Sequence, residues 1–105
     1  MDKSTEYVPA DKPAEWDEPH QSIVERVMKM EAYLDEILNA ADKGVEEIQK
    51  NPQLAEKLQT LISYYEQGQW MKDYAYDEAG KLTQGLKRGV LSEDTLYNLF
   101  ADLNI

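Results

Sequence analysis

The sequence predicts an all-α fold: a long amphipathic helical hairpin, then a short third helix and a C-terminal helix. Three observations predict it. Apolar residues recur in alternating steps of four and three at Ile23, Val27, Met30, Leu34, Ile37 and Ala41, the period of one helix face. Asn51-Pro52, Gly68 and Gly80 divide the following chain into pieces of helical length, each carrying a residue type that ends or starts helices. No stretch shows the period-two alternation of a half-buried strand.

Residues 1–20 read as a disordered acidic tail. They hold Pro9, Pro13 and Pro19, and six acids (Asp2, Glu6, Asp11, Glu15, Asp17, Glu18) against Lys3 and Lys12. Tyr7, Val8 and Trp16 are too little apolar bulk to offset the entropy of ordering such a segment. Trp16 alone is a candidate for docking onto the body or a partner. Residues 21–105 then form one helical domain, a size suited to a single core.

The first helix is expected over about 22–49. Ser22 and Glu25 have the spacing of a capping box, and the seam from Ile23 to Ala41 follows for nearly three heptads. Val45 and Ile48 continue it after two consecutive steps of four, a stutter, and Gly44 lies there as a candidate hinge. Glu25/Lys29 and Glu46/Lys50 are spaced to pair along the helix. Asn51-Pro52 ends it and starts the second helix, about 52–67, because Asn caps well and proline suits the first helical position. Leu54, Leu58, Leu61, Ile62 and Tyr65 give that helix its apolar face, and Gly68 reads as its left-handed cap. So short a connection favours an antiparallel hairpin.

Trp70, Met71 and Tyr74 mark a third helix over about 69–79, ended by Gly80. Lys81 to Leu91 reads as irregular, with Gly85 and Gly89. The last helix is expected over about 92–104, with Ser92 as cap, Glu93 and Asp94 in its positive first turn, and Leu96, Leu99, Phe100 and Leu103 on one face. Leu91 and Leu96 are placed to form a hydrophobic staple.

Composition narrows function. Twenty-one acids against eleven bases give a net charge of −10, which repels nucleic-acid phosphates and anionic headgroups. Neither nucleic acid nor a membrane is an expected partner, whereas a basic protein suits. The chain has no cysteine, which removes disulfides, thiolate zinc sites and thiol catalysis and leans towards a reducing compartment. Met1 to Glu6 lacks the basic and apolar regions of a signal peptide, and no apolar run reaches the ~20 residues of a membrane span. The expected location is the cytoplasm.

Three blocks carry a resemblance: Tyr64-Tyr65-Glu66-Gln67-Gly68-Gln69-Trp70-Met71-Lys72-Asp73-Tyr74, then Asp77-Glu78-Ala79-Gly80-Lys81-Leu82, then Leu86-Lys87-Arg88-Gly89-Val90-Leu91-Ser92-Glu93-Asp94. With the charged amphipathic helix before them, they resemble a family of small bacterial proteins catalogued only as a domain of unknown function, DUF4298. The resemblance covers about four-fifths of the chain and is strongest over residues 64–97. Thr83 departs from it where proline is expected. The resemblance implies a bacterial, cytoplasmic, helical protein, and no activity.

The acidic, histidine and serine residues complete no recognised catalytic or metal motif. Asp73, Asp77 and Glu78 are close in sequence, but an EF-hand loop starting at Asp73 would put Ala75, Glu78 and Gln84 at its third, sixth and twelfth positions, where ligand, glycine and glutamate are needed. The only histidine, His20, lies in the tail, so the Glu-x-x-His motifs of a di-iron bundle are missing. Ser63 and Ser92 have no histidine at hand, and the acidic pairs Asp35/Glu36 and Glu46/Glu47 read as solvated helix surface. Glu15-Trp16-Asp17-Glu18 matches a pyrophosphohydrolase motif by letter only. No catalytic, metal or cofactor-binding residue is assigned, and no enzyme is expected.

Lys81, Lys87 and Arg88 are the one basic concentration. They precede a helix N-terminus, where anions bind, but Glu93 and Asp94 already occupy it. Lys87 and Arg88 are therefore expected to pair with Asp73, Asp77 or Glu78 and fasten the irregular segment. Of the clustered aromatics Tyr64, Tyr65, Trp70, Tyr74, Tyr76 and Tyr97, most should be core, and an exposed remainder is the expected partner surface. Trp70, Asp73, Tyr74, Asp77, Glu78, Lys87 and Arg88 thus form the candidate interaction or structural segment. The expected function is a protein–protein interaction or adaptor module, binding an unidentified protein or a second copy of itself through the heptad seam. An acidic inhibitor or nucleic-acid mimic on a basic partner is the alternative, and a small-molecule enzyme ranks third.

Overall fold

The heptad seam buries against the rest of the same chain. A computed structural model describes residues 18–105, and α1 (His20–Lys43) lays Ile23, Val27, Met30, Leu34 and Ile37 into the core. At its end the buried position shifts from the expected Ala41, half-buried, to Ala40. The seam is therefore buried within the chain itself.

α1 starts two residues ahead of the expected cap. Its first hydrogen bond runs from the Ile23 N–H to the Pro19 carbonyl at 3.2 Å, and no side chain caps it. Ser22 lies inside the first turn, so the Ser22–Glu25 capping box does not form there. Tertiary contacts of Glu18 and His20, described below, hold the earlier start. The helical body thus reaches back into the expected tail. The expectations of disorder and of Trp16 docking otherwise fall on residues 1–17, outside the described residues.

The expected single helix over 22–49 is two. Gly44 has φ 138° and ψ 144°, a conformation that side chains with a Cβ rarely adopt, and it divides α1 from α2 (Val45–Gln49). The Gly44 N–H still donates to the Ala40 and Ala41 carbonyls at 3.1 Å each, which closes the end of α1. The break re-aims the chain so that Ile48 is buried while Val45 faces outward. Lys50 pairs with Glu47 at 3.4 Å, one residue from the expected Glu46.

Asn51 and Pro52 act as the sequence predicts. The Asn51 Oδ1 accepts from the Gln53 and Leu54 N–H groups at 3.0 and 3.3 Å, opening α3 (Pro52–Glu66) with proline in its first turn. Lys57 of α3 reaches Glu36 of α1 at 2.7 Å, while Tyr64 lies near Arg26 through a shared partner. α3 therefore runs back along α1, the antiparallel hairpin. Leu61 and Tyr64 are buried, with Leu54, Leu58, Ile62 and Tyr65 packed half-buried beside them.

Gly68, in the left-handed region at φ 93°, turns the chain from α3 into α4 (Gln69–Glu78). α4 ends in a Schellman motif: the Lys81 N–H donates to the Tyr76 carbonyl at 3.3 Å and the Gly80 N–H to that of Asp77 at 2.8 Å, with Gly80 at φ 75°. An irregular stretch leads to a 3₁₀ turn, Gly89–Leu91, and then to α5 (Thr95–Asp102). α5 begins three residues after the expected Ser92. Ser92 is extended, at ψ 139°, residues 93–94 form a turn, and no side chain caps the helix. Leu91, Leu96, Leu99 and Phe100 are buried. Among the described residues there is no strand, and no helix is long and apolar enough to cross a membrane.

Candidate functional site

Two polar knots lie in the core, and both use residues that local sequence pattern assigns elsewhere. Asp73 shares one face of α4 with Trp70 and Tyr76, at steps of three, and is 1% exposed. Burying a carboxylate requires full pairing, and two side chains provide it. Arg26 of α1 approaches side-on, its Nε 2.8 Å from Oδ2 and its Nη2 on Oδ1, a bidentate geometry stronger than a single contact. The Tyr64 hydroxyl donates to Oδ2 at 2.7 Å. The outer edge of the same guanidinium holds Glu18, at 2.6 and 2.9 Å. Asp73 is thus the partner of Arg26, not of Lys87 or Arg88. Beside this knot His20 Nδ1 and the Tyr76 hydroxyl share a hydrogen bond.

The hydrogen bonds to Asp73 and then Glu18 raise the Arg26 pKa further above its already high ordinary value. The bond to Arg26 pulls the Glu18 carboxyl below 4.5. Burial, followed by the negative charge of Asp73, pushes the Tyr64 phenol well above 10. These shifts fix the sign of the pH dependence. Glu18 contributes stability that is full above 4.5 and lost as pH falls through its lower folded value. Tyr64 contributes stability present below 10 and lost progressively above it. Glu18→Gln should therefore flatten the acid side of a stability-against-pH curve followed by circular dichroism, and Tyr64→Phe the alkaline side. Unchanged slopes in both variants would contradict the pairing.

The second knot holds both backbone polar groups of Val90. The Trp70 indole N–H donates to the Val90 carbonyl at 2.8 Å, and the Val90 N–H donates to Glu31 Oε1 at 2.8 Å. Glu31, on α1, is 7% exposed. A Cβ at Gly89 would stand 3.3 Å from Glu31 Oε2, so a bare backbone there lets the carboxylate lie close. Trp70 also stacks on Tyr74, with ring centroids 5.0 Å apart, and meets Tyr65 at 5.3 Å.

Lys87 and Arg88 diverge. Arg88 binds Asp77 through Nη1, the Thr83 carbonyl at 2.7 Å and the Leu86 carbonyl at 3.3 Å, so it ties the irregular stretch to α4 and to itself. Lys87 turns to α1 and meets Asp35 at 2.9 Å, whose carboxylate raises the Lys87 pKa. Tyr74 donates to Glu93 at 2.9 Å, which raises its phenol pKa. Glu78 is exposed. The hollow in this region is lined by Asp77, Glu78 and Glu93 beside Arg88, an acidic majority for any anion to meet. Among the described residues, no group of three or more histidine or acidic side chains is placed to hold a metal ion.

The remaining feature is apolar and external. Met28, Leu38, Val45, Met71, Tyr97 and Ile105 are the large exposed hydrophobics among the described residues. Four of these flank α5. Leu38 and Val45 line a groove of about 470 Å³ between the α1–α2 junction and α5. Tyr97 and Ile105 line a smaller hollow of about 300 Å³ on the other side of α5, beside Tyr65 and Phe100.

The family described as Domain of unknown function (DUF4298) matches residues 27–105 of this sequence. The chain belongs to that family. No curated protein and no solved structure matches it. The DUF4298 match takes in Glu31, Tyr64, Asp73 and the Val90 clasp, as well as the groove beside α5. Glu18, His20 and Arg26 precede it. Sequence reading passed over Arg26, Glu31 and Tyr64 as polar anchors. Two of them carried a signal: Glu31 is four residues after Val27 and three before Leu34, and Tyr64 is three after Leu61, so both lie on the buried side of their helices.

Proposed function

We propose that the protein is a small cytoplasmic binding module for another protein, and not an enzyme. The observation that carries this reading is the apolar surface on both sides of α5: Leu38, Val45, Tyr97 and Ile105 are 41%, 39%, 63% and 58% exposed. Such side chains favour contact with a partner when they gather instead of scattering. The polar groups most suited to chemistry are engaged in holding the fold, since Asp73, Glu31, Arg26 and Arg88 each bind other parts of the chain. Of the residues singled out in sequence, Trp70, Asp73, Asp77 and Arg88 serve the scaffold that presents this surface. A net charge of −10 supports a basic partner over nucleic acid or an anionic membrane. It also favours the second reading, an acidic inhibitor seated in a basic protein's groove.

The test is affinity capture from the producing cells with the full chain and with a Leu38→Asp, Tyr97→Asp variant whose circular dichroism matches the parent. A stoichiometric protein retained by the parent and lost by the variant is the expected result. Equal retention by both, or none by the parent, would overturn the proposal.

A further inference from the structure

The groove between the α1–α2 junction and α5 is built from two chemically distinct parts. Its apolar part is Leu38 and Val45 on one wall and Leu99 and Leu103 on the other. Asp42 and Asp102 contribute one carboxylate from each wall, and among the described residues no lysine or arginine lines it. The Gly44 break creates the first wall. By ending α1 it leaves Val45 outside the core while Ile48 turns inward, and Leu38 was never part of the seam. Two short helical walls with an apolar floor match the groove into which an amphipathic helix lays its apolar face.

We propose that this groove receives a basic amphipathic helix of another protein. The inference rests on the binding-module reading and gives its partner a chemistry. The floor takes leucine-like side chains at i, i+3, i+4 and i+7, and Asp42 and Asp102 take the lysines or arginines that flank them. Charge decides against the other occupants. A second copy of this chain would set Asp42 and Asp102 against a surface of like sign, and such juxtaposition is costly. A phosphate backbone meets the same repulsion.

The probe is a synthetic peptide of about five helical turns with leucine on one face and lysine on the other, compared with its glutamate counterpart. Binding to the full chain is followed by calorimetry at two salt concentrations. The lysine peptide is expected to bind one to one and saturably, weakening as salt rises, while the glutamate peptide does not bind. Asp42→Lys with Asp102→Lys should weaken binding about tenfold or more, and so should Leu38→Ser with Val45→Ser. Glu56→Lys with Glu78→Lys makes the same charge change on exposed positions outside the groove, and should leave affinity within about twofold.

Loss of affinity in that control equal to the loss in the rim variant would reduce the effect to overall charge and overturn the proposal. So would the absence of binding by the lysine peptide. A chain that sediments as a dimer, and as a monomer after Leu38→Ser, would give the groove to a second copy instead. If the Asp42, Asp102 variant still retains the protein captured by the parent, the groove inference fails while the binding-module reading stands. Capture of nothing by the parent fails the reading itself.

Discussion

Asp73→Ala is expected to destabilise the protein by about 3–5 kcal/mol, the cost of removing one partner from a buried ion pair. The change leaves the Arg26 guanidinium facing an apolar hole on its inner edge and the Tyr64 hydroxyl without its acceptor. Glu18 still holds the outer edge of Arg26, and Arg26 is partly exposed, so the loss should lie towards the lower end of that range. For a domain of this size it corresponds to roughly 10–25 °C in thermal midpoint. Tyr64→Phe removes one hydrogen bond to a charged acceptor and should cost less, about 1.5–3 kcal/mol. Chemical denaturation of the two variants tests the order. A loss below about 1 kcal/mol for Asp73→Ala would mean the pair behaves like an exposed surface bridge.

Leu34→Ala should cost about 2–5 kcal/mol, because Leu34 is 2% exposed and the surrounding helices can only partly close on the space left behind. The structure adds a condition to this figure. The seam is buried against the same chain, so the thermal midpoint should not change with protein concentration, in the parent or the variant. A midpoint that rises with concentration would show an association that contributes to stability, and a neutral substitution would contradict the burial. The two measurements together separate an intramolecular core from a shared one.

The fold was readable where local chemistry decides it. Asn51 followed by proline, Gly68 after Tyr65, and Gly80 after α4 each need only their immediate neighbours, and each ends or starts a helix as expected. The seam was readable because a period of 3.5 over nearly three heptads has one structural meaning. Gly44 reads from sequence as a hinge and not as a full break, since its positive-φ conformation depends on where Ile48 must pack. The early start of α1 was hidden because Glu18 and His20 are anchored by Arg26 and Tyr76, and the second of these contacts spans 56 residues. Asp73 shows the limit most clearly. Its place between Trp70 and Tyr76 marks a buried acid, yet nothing local selects Arg26, 47 residues away, over the nearer Lys87 and Arg88. The apolar groove beside α5 could not be read at all. It exists only through the meeting of α5 with the α1–α2 junction.

The clasp on Val90 also bears on the expected order of folding. Glu31 and Val90 are 59 residues apart in the chain and Trp70 and Val90 are 20 apart, whereas the α1–α3 hairpin can zip outward from the tight connection at Asn51. Closing a long loop costs more entropy before any contact rewards it. The hairpin is therefore expected to fold early, with the 3₁₀ turn and α5 closing onto it afterwards. Substitutions that loosen the 3₁₀ turn, where Val90 is fully buried, should then speed unfolding and leave the refolding rate nearly untouched, with Φ near zero at Val90→Ala and higher at Leu61→Ala. The reverse order of Φ values would make the clasp the nucleus. Under the expected order, the chain first becomes a folded hairpin whose apolar face still waits for its cover. The last step, which lays α5 down, also completes the groove proposed to take a partner helix.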